Sequence, residues 1–277
     1  METVIKIACQ DEKGLVHKIT SILFQKLLNV TRTNEFVDEL TDHFFMRVSF
    51  TGTCDLTSLS LELRAVLPTG AQVDIIPPVT KRVVILVTKE HHCLGDLLIR
   101  SQFQDLPFEI LAVIGNYNTL QSLCAQFNVP FYFVPADGLS REAHEDQVQE
   151  LIQVMNPDLI VLAKYMRILT PEFAANFLGK MINIHHSFLP AFVGAKPYQQ
   201  AFDRGVKIIG ATAHFVTDDL DEGPIIYQDV TRVNHTYSAK EMARFGKDVE
   251  KIVLANALKI VLEDRIFIHQ NKTIIFD

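Results

Sequence analysis

The pattern of the chain changes at Pro77-Pro78, and this change most constrains what the sequence can fold into. Consecutive prolines interrupt both helix and strand, so we place a domain boundary there. On either side of the boundary the apolar residues recur in different orders. The 277 residues are enough for two modest domains, which we predict at 1–77 and 81–277.

The first segment alternates between strand and helix patterns in the order βαββαβ. Apolar residues at helical spacing predict two helices, and Asp55 is placed to cap the second. Four stretches predict strands: Val4 to about Cys9, Val30–Val37, His43–Phe50 and Val73–Ile76. The order predicts a ferredoxin-like unit with one four-stranded sheet, an arrangement that serves many functions.

The second segment has the pattern of an α/β domain with a mostly parallel sheet. Short apolar runs that alternate with helices are typical of parallel strands buried on both faces. The runs are Val83–Val87, Glu109–Ile114, Phe131–Val134, Leu159–Leu162 and Met181–Ile184, and the helices lie near 94–104, 118–127, 140–155 and 170–178. Ile208–Val216 and Ile225–Val233 have no helix between them, which predicts antiparallel strands at one edge. We predict a final helix from about Ser238 to His269.

Composition and charge exclude several classes of protein. A net charge of −7 gives no basic surface for nucleic acid or for an anionic membrane. The apolar runs are about five residues long, whereas a membrane span needs about 20. The N-terminal residues lack the pattern of a signal peptide, and the four cysteines are scattered without a Cys-x-x-Cys pair. We therefore expect a cytoplasmic protein with reduced thiols.

Two segments place polar side chains at strand ends, where open α/β sheets carry out their chemistry. Asn183 and His185 are two residues apart on a predicted strand, so their side chains point to the same side. The segment His214–Pro224 follows another strand and contains several acids, among them Asp221. An amide and an imidazole can stabilise an oxyanion, and a carboxylate can orient and deprotonate a nucleophile. We predict attack on a carbonyl group without a covalent intermediate.

Three separated motifs resemble one known family. They are Asn183-Ile184-His185 with the Leu189-Pro190 that follows, His214-x-x-Thr217-x-x-x-Asp221-x-Gly223-Pro224, and Tyr165-Met166-Arg167-Ile168-Leu169. Together they resemble the formyltransferases that use 10-formyltetrahydrofolate. The third motif is similar to the strand end that forms the pterin pocket of that family.

Two details differ from the formyltransferases that act on ribonucleotides. Those enzymes have a Gly-Ser-Asn type loop that cradles phosphate, whereas Thr88–Asp96 keeps one glycine among acidic residues. His186 stands where they usually have proline. With the residues from there to Tyr198, with Asp248-Val249-Glu250 and with its N-terminal segment, the chain resembles bacterial formyltetrahydrofolate deformylases over nearly its whole length. The first 76 residues then resemble an ACT domain, a small amino-acid-sensing module.

This resemblance implies a Rossmann-like catalytic domain that hydrolyses 10-formyltetrahydrofolate to formate and tetrahydrofolate, feeding formate to purine synthesis and balancing one-carbon pools. Asn183 would donate to the formyl oxygen, and His185 would stabilise the tetrahedral oxyanion and help to protonate N10. Asp221 would position water and tune His185. The pterin would be held by Met166, Arg167, Ile168 and Leu169. No metal or bound cofactor is implied, because the folate is the substrate.

The N-terminal segment carries a second candidate site. Asp11, Gly14 and Leu15 resemble the ACT turn that leads into the first helix, and Asn29 follows that helix. The family resemblance implies glycine or methionine as an effector, held between the subunits of a homo-oligomer, either a dimer or a tetramer. Backbone N–H groups at a helix start indicate by themselves only a small carboxylate. Alternatively, the domain only joins subunits through its edge strands.

Two other functions stay open at this point. A formyltransferase that passes the formyl group to an amine would use the same three residues, and the loop Lys89–Asp96 is the feature that argues against it. A catalytically inactive folate-binding or amino-acid-sensing regulator is the second alternative, and the intact catalytic set argues against that one.

A metal site is not expected from the histidine pairs. His91-His92 and His185-His186 lack the spacing of metal ligands, and neighbours on a strand point to opposite sides. Cys93 has no basic neighbour in sequence other than the two histidines, so we expect an inert thiol.

Overall fold

The computed structural model describes residues 2–191 and 197–277. It forms two compact units. The first extends to Val79 and includes Asp264–Phe267 and Ile275–Asp277, and the second contains Thr80–Glu263 and Ile268–Ile274. The division differs from the predicted ranges 1–77 and 81–277, because residues near the C-terminus group with the first unit. Residues 192–196, which contributed to the family resemblance, lie outside the described residues.

The first unit contains a four-stranded antiparallel sheet and two helices in the predicted order. Its elements are β1 (Thr3–Gln10), α1 (Leu15–Gln25), β2 (Asn29–Asp38), β3 (His43–Thr51), α2 (Leu56–Val66) and β4 (Gln72–Ile76). The strand order is β2-β3-β1-β4, which places β1 and β3 in the centre. Asp55 caps α2 by accepting a hydrogen bond from the Thr57 N–H at 2.9 Å, as the sequence predicts.

The C-terminal residues that belong to this unit are tied to β3. Arg47 donates from Nε to the carbonyl oxygen of Asp264 at 3.1 Å. The rings of Phe45 and Phe267 meet edge to face with centroids 5.5 Å apart. These contacts place Asp264–Phe267 in the first unit.

The second unit is an α/β sandwich around a seven-stranded sheet. Its elements are β5 (Lys81–Val87), α3 (His92–Gln102), β6 (Phe108–Gly115), a 3-10 turn (Asn118–Leu120), α4 (Gln121–Gln126), β7 (Phe131–Phe133), α5 (Arg141–Met155), β8 (Leu159–Leu162), α6 (Pro171–Ala175), β9 (Met181–His185), α7 (Pro197–Asp203), β10 (Ile208–Phe215), β11 (Ile225–Arg232) and α8 (Ala239–Leu262). The strand order is β11-β10-β9-β8-β5-β6-β7. The five strands β5 to β9 are parallel, and β10 and β11 add antiparallel at one edge, as predicted.

Helices cover both faces of this sheet. On one face, α5 and α6 pack on the core that contains Leu86, Leu162, Phe173 and Met181. The alternate strand residues point to the opposite face and are equally buried there. Helices α3 and α8, which pack against each other and against the sheet, cover that second face. The carboxyl ends of β5, β8 and β9 open between the two helical layers.

The predicted final helix over 238–269 is too long. Helix α8 begins after Ser238, which forms a capping box with Glu241, and ends at Leu262. Asp264 then adopts a left-handed conformation with φ 52°, and two further strands, β12 (Ile266–His269) and β13 (Lys272–Ile275), form a hairpin. Apolar residues continue past the helix end, so spacing alone could not locate it. Among the described residues, no helix has the length and apolar character needed to cross a membrane.

Candidate active site

Asn183 is oriented by a residue on the neighbouring strand. In the antiparallel pairing of β9 with β10, Asn183 lies opposite His214, and such cross-strand pairs bring side chains together. His214 donates from Nδ1 to the carbonyl oxygen of Phe215 at 2.9 Å, which leaves Nε2 as the acceptor. The Asn183 Nδ2 group lies 3.2 Å from that Nε2 and donates to it. The sequence motif contains His214, but this role follows only from the pairing register.

Asp221 reaches the site on a tight loop after β10. Its own backbone is in the left-handed region, with φ 58°. At Gly223 a Cβ atom would lie 1.8 Å from the carbonyl oxygen of Phe215, so only glycine permits this close approach. The loop closes where the Phe215 N–H donates to the Pro224 oxygen at 2.9 Å. The Gly-Pro turn thus returns the carboxylate to the end of β9.

His185 and Asp221 form the central pair of the site. The His185 Nδ1 atom lies 3.2 Å from Oδ2 of Asp221, and the His214 Nε2 atom lies 3.6 Å from Oδ1. Burial by itself would raise the pKa of Asp221, but the hydrogen bond from His185 opposes burial and helps to hold the pKa well below its usual range. Asp221 is therefore a carboxylate at neutral pH.

The second nitrogen of His185 is available to a ligand. His185 is buried, and its Nε2 atom has no hydrogen-bond partner among the described residues. Because Nδ1 is held by Asp221, the ring orientation is fixed and Nε2 is the atom that a substrate would meet. The three residues predicted as catalytic, Asn183, His185 and Asp221, are thus brought together in one place.

The segment predicted to bind pterin follows β8. Met166 and Ile168 expose 56% and 52% of their surface, whereas Leu169 packs on the core beside α5. The Met166 N–H donates to Oγ1 of Thr88 at 2.9 Å, and this bond joins the segment to the end of β5. Arg167 is half-buried on the same segment. The exposed apolar side chains beside a guanidinium suit a flat polar ring with a carboxylate-bearing tail.

The far end of this segment is clamped by α5. Thr170 donates from its N–H to Oε1 of Glu145 at 3.1 Å and from its hydroxyl to Oε2 of the same carboxylate. Thr170 also caps α6 by accepting from the Phe173 N–H at 3.2 Å. Glu145 is buried, and nothing in the local sequence distinguished it from the other acids of α5.

A polar cluster that sequence reasoning missed lies on the α3–α8 side. It consists of His92, Lys164, Tyr198 and Glu250, and we call it the Glu250 cluster. Glu250 accepts hydrogen bonds from Nε2 of His92 at 2.7 Å and from the Tyr198 hydroxyl at 2.6 Å. The Lys164 ammonium lies 3.2 Å from the same carboxylate. These residues are far apart in sequence, so only the fold brings them together.

The prediction that neighbouring histidines diverge is wrong for His185 and His186. Their rings stack with centroids 5.0 Å apart and an interplanar angle of 15°. The reason is that β9 ends at His185, so the alternation of a strand does not extend to His186. Burial, with the charges of Lys164 and His185, lowers the pKa of His186 to about 4, and this ring is neutral at neutral pH.

The fold also brings three potential metal-binding side chains together. The ligand atoms of His92, Cys93 and Glu250 lie within 4.8 Å of one another. The Lys164 ammonium, however, lies 3.2 Å from the Glu250 carboxylate, and its charge would repel a second cation there. Burial, together with the Glu250 charge, raises the pKa of Cys93 well above its usual value, so without a bound cation the side chain is a neutral thiol.

The candidate effector residues lie at the start and end of α1. Gly14 precedes the helix with φ 88°. The Asp11 N–H donates to the Asp42 oxygen at 2.9 Å, and Asn29, the first residue of β2, is exposed. The Leu15 side chain belongs to the core of the first unit, so only its backbone can face a ligand.

The fold and this site define a formyl transferase domain. The model of the formyl transferase family matches residues 81–258. The formyltetrahydrofolate deformylase of Escherichia coli O6:H1 is 54% identical over 272 residues, which cover 98% of this chain and 97% of that protein. The chain belongs to the formyltetrahydrofolate deformylase family.

Solved structures show the same relationship. A formyltetrahydrofolate deformylase from Pseudomonas syringae pv. tomato superposes with a TM-score of 0.95 at 42% identity, over 100% of this chain and 94% of that one. Glycinamide ribonucleotide transformylase 1 from Symbiobacterium toebii superposes with a TM-score of 0.69 at 28% identity. The second similarity covers 73% of this chain and 97% of the transformylase.

Proposed function

We propose that this chain hydrolyses 10-formyltetrahydrofolate to formate and tetrahydrofolate. The observation that carries the proposal is His185, which is held at Nδ1 by the Asp221 carboxylate and whose Nε2 atom has no hydrogen-bond partner among residues 2–191 and 197–277. The membership of the deformylase family supports water as the formyl acceptor. The formate would serve purine synthesis and the balance of one-carbon pools.

The geometry supports a direct attack of water on the formyl carbon. When the His185 ring carries a proton on Nε2, that N–H can donate to the developing oxyanion. Asn183 supplies a second donor from its amide. The water loses a proton to the Asp221–His185 pair as its oxygen bonds to the formyl carbon. The C–N10 bond then breaks, N10 takes a proton from the same pair, and formate leaves.

The substrate would lie against the exposed side of the segment after β8. Met166 and Ile168 would contact the pterin ring, with Arg167 and the backbone at Leu169 as its polar partners. Since the three catalytic side chains supply both the proton transfer and the oxyanion donors, we propose that the reaction needs no metal and no bound cofactor.

The proposal is tested with purified protein and 10-formyltetrahydrofolate, with and without glycinamide ribonucleotide. Formate should appear at the same rate in both samples, measured with formate dehydrogenase, together with tetrahydrofolate. Formyl loss that occurs only with the ribonucleotide, and gives a formylated amine instead of formate, would contradict hydrolysis and favour the transferase. No loss in either sample would favour an inactive folate-binding protein.

We propose that the first unit joins subunits of a homo-oligomer, a dimer or a tetramer, and takes a small amino acid at the start of α1. Phe24 and Leu27 expose 78% and 89% of their surface on or just after α1, and large exposed apolar side chains favour an interface. Glycine and methionine are the candidate effectors.

The effector site is tested by titrating each amino acid, in a calorimeter, into the full-length protein and into its Asn29→Ala variant. A heat of binding that is unchanged in the variant, or no heat of binding with either protein, would contradict the site.

The free cysteines fit a reducing, cytoplasmic environment. Cys9, Cys54, Cys93 and Cys124 are unpaired thiols. Burial, with the charges of Glu12 and Asp11, raises the pKa of Cys9 to about 11, which makes that thiol a poor nucleophile.

A further inference from the structure

The Glu250 carboxylate is buried yet fully engaged by protein groups. Glu250 exposes 1% of its surface. Its carboxylate accepts hydrogen bonds from His92 and Tyr198, and the Lys164 ammonium lies beside it. Burial alone would raise the pKa of Glu250, but the His92 hydrogen bond and the Lys164 charge lower it to about 2. Burial of a charged group is unfavourable because the group loses its hydration. A buried carboxylate outside the proposed catalytic residues therefore needs an explanation.

The cluster is continuous with the catalytic imidazole. The His186 ring stacks on His185, and the Tyr198 ring lies next, with its centroid 6.3 Å from that of His186. The Tyr198 hydroxyl then contacts Glu250. These contacts connect the end of β9 with Lys164 after β8 and with His92 after β5. In open α/β sheets the crevice at these strand ends is where a ligand binds.

The chain departs from ordinary backbone preferences to make room for these side chains. Gly246 lies one turn before Glu250 in the middle of α8, where glycine is unfavourable. A Cβ at Gly246 would lie 2.0 Å from the Tyr198 hydroxyl, so the glycine provides the space for that ring. Lys164 has a φ of 62°, a conformation that residues other than glycine rarely adopt.

Two carboxylates, each paired with a lysine, lie near the start of α3: Glu90 is 2.8 Å from Nζ of Lys247, and Glu250 is 3.2 Å from Nζ of Lys164. Helix N-termini attract phosphate, but the start of α3 faces carboxylates here. The Glu90 carboxylate lies 3.6 Å from Nδ1 of His92, and Glu250 accepts from Nε2 of the same ring. The folate segment, in contrast, packs on the α5–α6 layer. The α3–α8 side is therefore the side from which we expect a second substrate to approach the formyl group.

We propose that the Glu250 cluster, together with His186, determines the specificity of this enzyme by filling the space of an amine acceptor, so that water is the acceptor of the formyl group. This inference rests on the proposed hydrolysis of 10-formyltetrahydrofolate. Exclusion by shape and charge is a common route to specificity. The groups named here do not touch the reacting atoms, and they act by occupying space.

The test offers glycinamide, a small amine without phosphate, to the enzyme together with 10-formyltetrahydrofolate. Transfer would join the amine nitrogen to the formyl carbon, break the C–N10 bond and move one amine proton to N10. For the native protein we expect formate to account for all the formyl group lost, at every glycinamide concentration. Tyr198→Ala removes the central ring and should raise the share of N-formylglycinamide at least about tenfold above the native background. Tyr198→Phe keeps the ring and should behave like the native protein.

Each outcome bears on one proposal. Formylation of glycinamide by the native protein would overturn the inference and leave the folate chemistry intact, whereas no formate from the native protein would overturn the proposed function. A folded Tyr198→Ala protein that still yields only formate would also overturn the inference. If circular dichroism shows that this variant is unfolded, His186→Ala removes the adjacent ring and must give the same increase.

Discussion

The Lys164 ammonium lies 3.2 Å from the buried Glu250 carboxylate, and it reaches this position from a left-handed backbone with φ 62°. Such a conformation costs a residue other than glycine about 1–2 kcal/mol. The cost is tolerated because an unpaired carboxylate at Glu250 would be more unfavourable. The ion pair should therefore contribute measurably to the free energy of unfolding.

Lys164→Gly should lower the free energy of unfolding in spite of its better fit to the backbone. Removal of one partner of a buried pair costs about 3–5 kcal/mol, and relief of the strain returns about 1 kcal/mol. Gln104→Gly is the matched control, because Gln104 also has a positive φ, 59°, but is exposed. Urea denaturation should show a loss for Lys164→Gly and no loss for Gln104→Gly. Equal stability of both variants would mean that the ion pair contributes nothing.

Asp221→Asn should lower turnover about a hundredfold or more, the scale of losing a general acid or base. Folate binding should change little, because the proposed pterin contacts come from residues 165–169. His185→Ala should behave in the same way. Asp218→Asn, an exposed acid on the same loop, should leave turnover unchanged. Steady-state rates and folate titrations measure both quantities, and near-native turnover in Asp221→Asn would remove this residue from the mechanism.

His214→Ala should lower kcat about tenfold with little change in KM, because a misplaced reactive group loses rate more than affinity. The variant leaves the Asn183 amide without its acceptor. His235→Ala is the control, since His235 is exposed. A rise in KM at constant kcat would indicate that His214 serves substrate binding instead.

Gly246→Ala should destabilise the protein, although glycine to alanine in a helix usually stabilises. The new methyl group would collide with Tyr198, and such overpacking costs about 1–3 kcal/mol. Gly95→Ala in α3 is the matched change, because a Cβ there meets nothing within 4 Å, and it should stabilise by about 0.5–1 kcal/mol. Thermal denaturation should give a lower Tm for Gly246→Ala and a higher Tm for Gly95→Ala than for the native protein. Addition of Tyr198→Ala should rescue Gly246→Ala, and failure of this rescue would contradict the proposed collision.

Glu250 should make stability depend on pH in the acid range. Its pKa is lowered to about 2 in the folded protein, so its contribution is complete above the unfolded pKa of about 4.3 and is lost as the pH falls through about 2. The shift corresponds to about 3 kcal/mol at neutral pH. Glu250→Gln should therefore show a weaker loss of stability between pH 4 and pH 2 than the native protein. Glu150→Gln, an exposed control, should keep the native profile in denaturation at each pH.

The positions of the proposed catalytic residues could be predicted in large part, because they depend on local rules. Asn183 and His185 share a side because strand residues alternate, and β9 is a strand. Asp221 could be proposed because its motif follows β10 and contains a Gly-Pro turn. The same local rules located most helices and strands, but they missed α7 and failed after Leu262, where the apolar pattern continues but the helix does not.

The sequence by itself determined the βαββαβ unit, the parallel sheet and the residue types of the catalytic set, because periodicity and turn chemistry act over a few residues. Only the tertiary structure decided which residues meet Glu250, since His92 and Glu250 are 158 positions apart and no local pattern links them. It also decided that His186 stacks on His185, because this depends on where β9 ends. Side chains that meet through the packing of separate helices and loops are not marked by any periodic pattern in the sequence. In this protein they include the groups that we propose to exclude an amine, so that water is the acceptor.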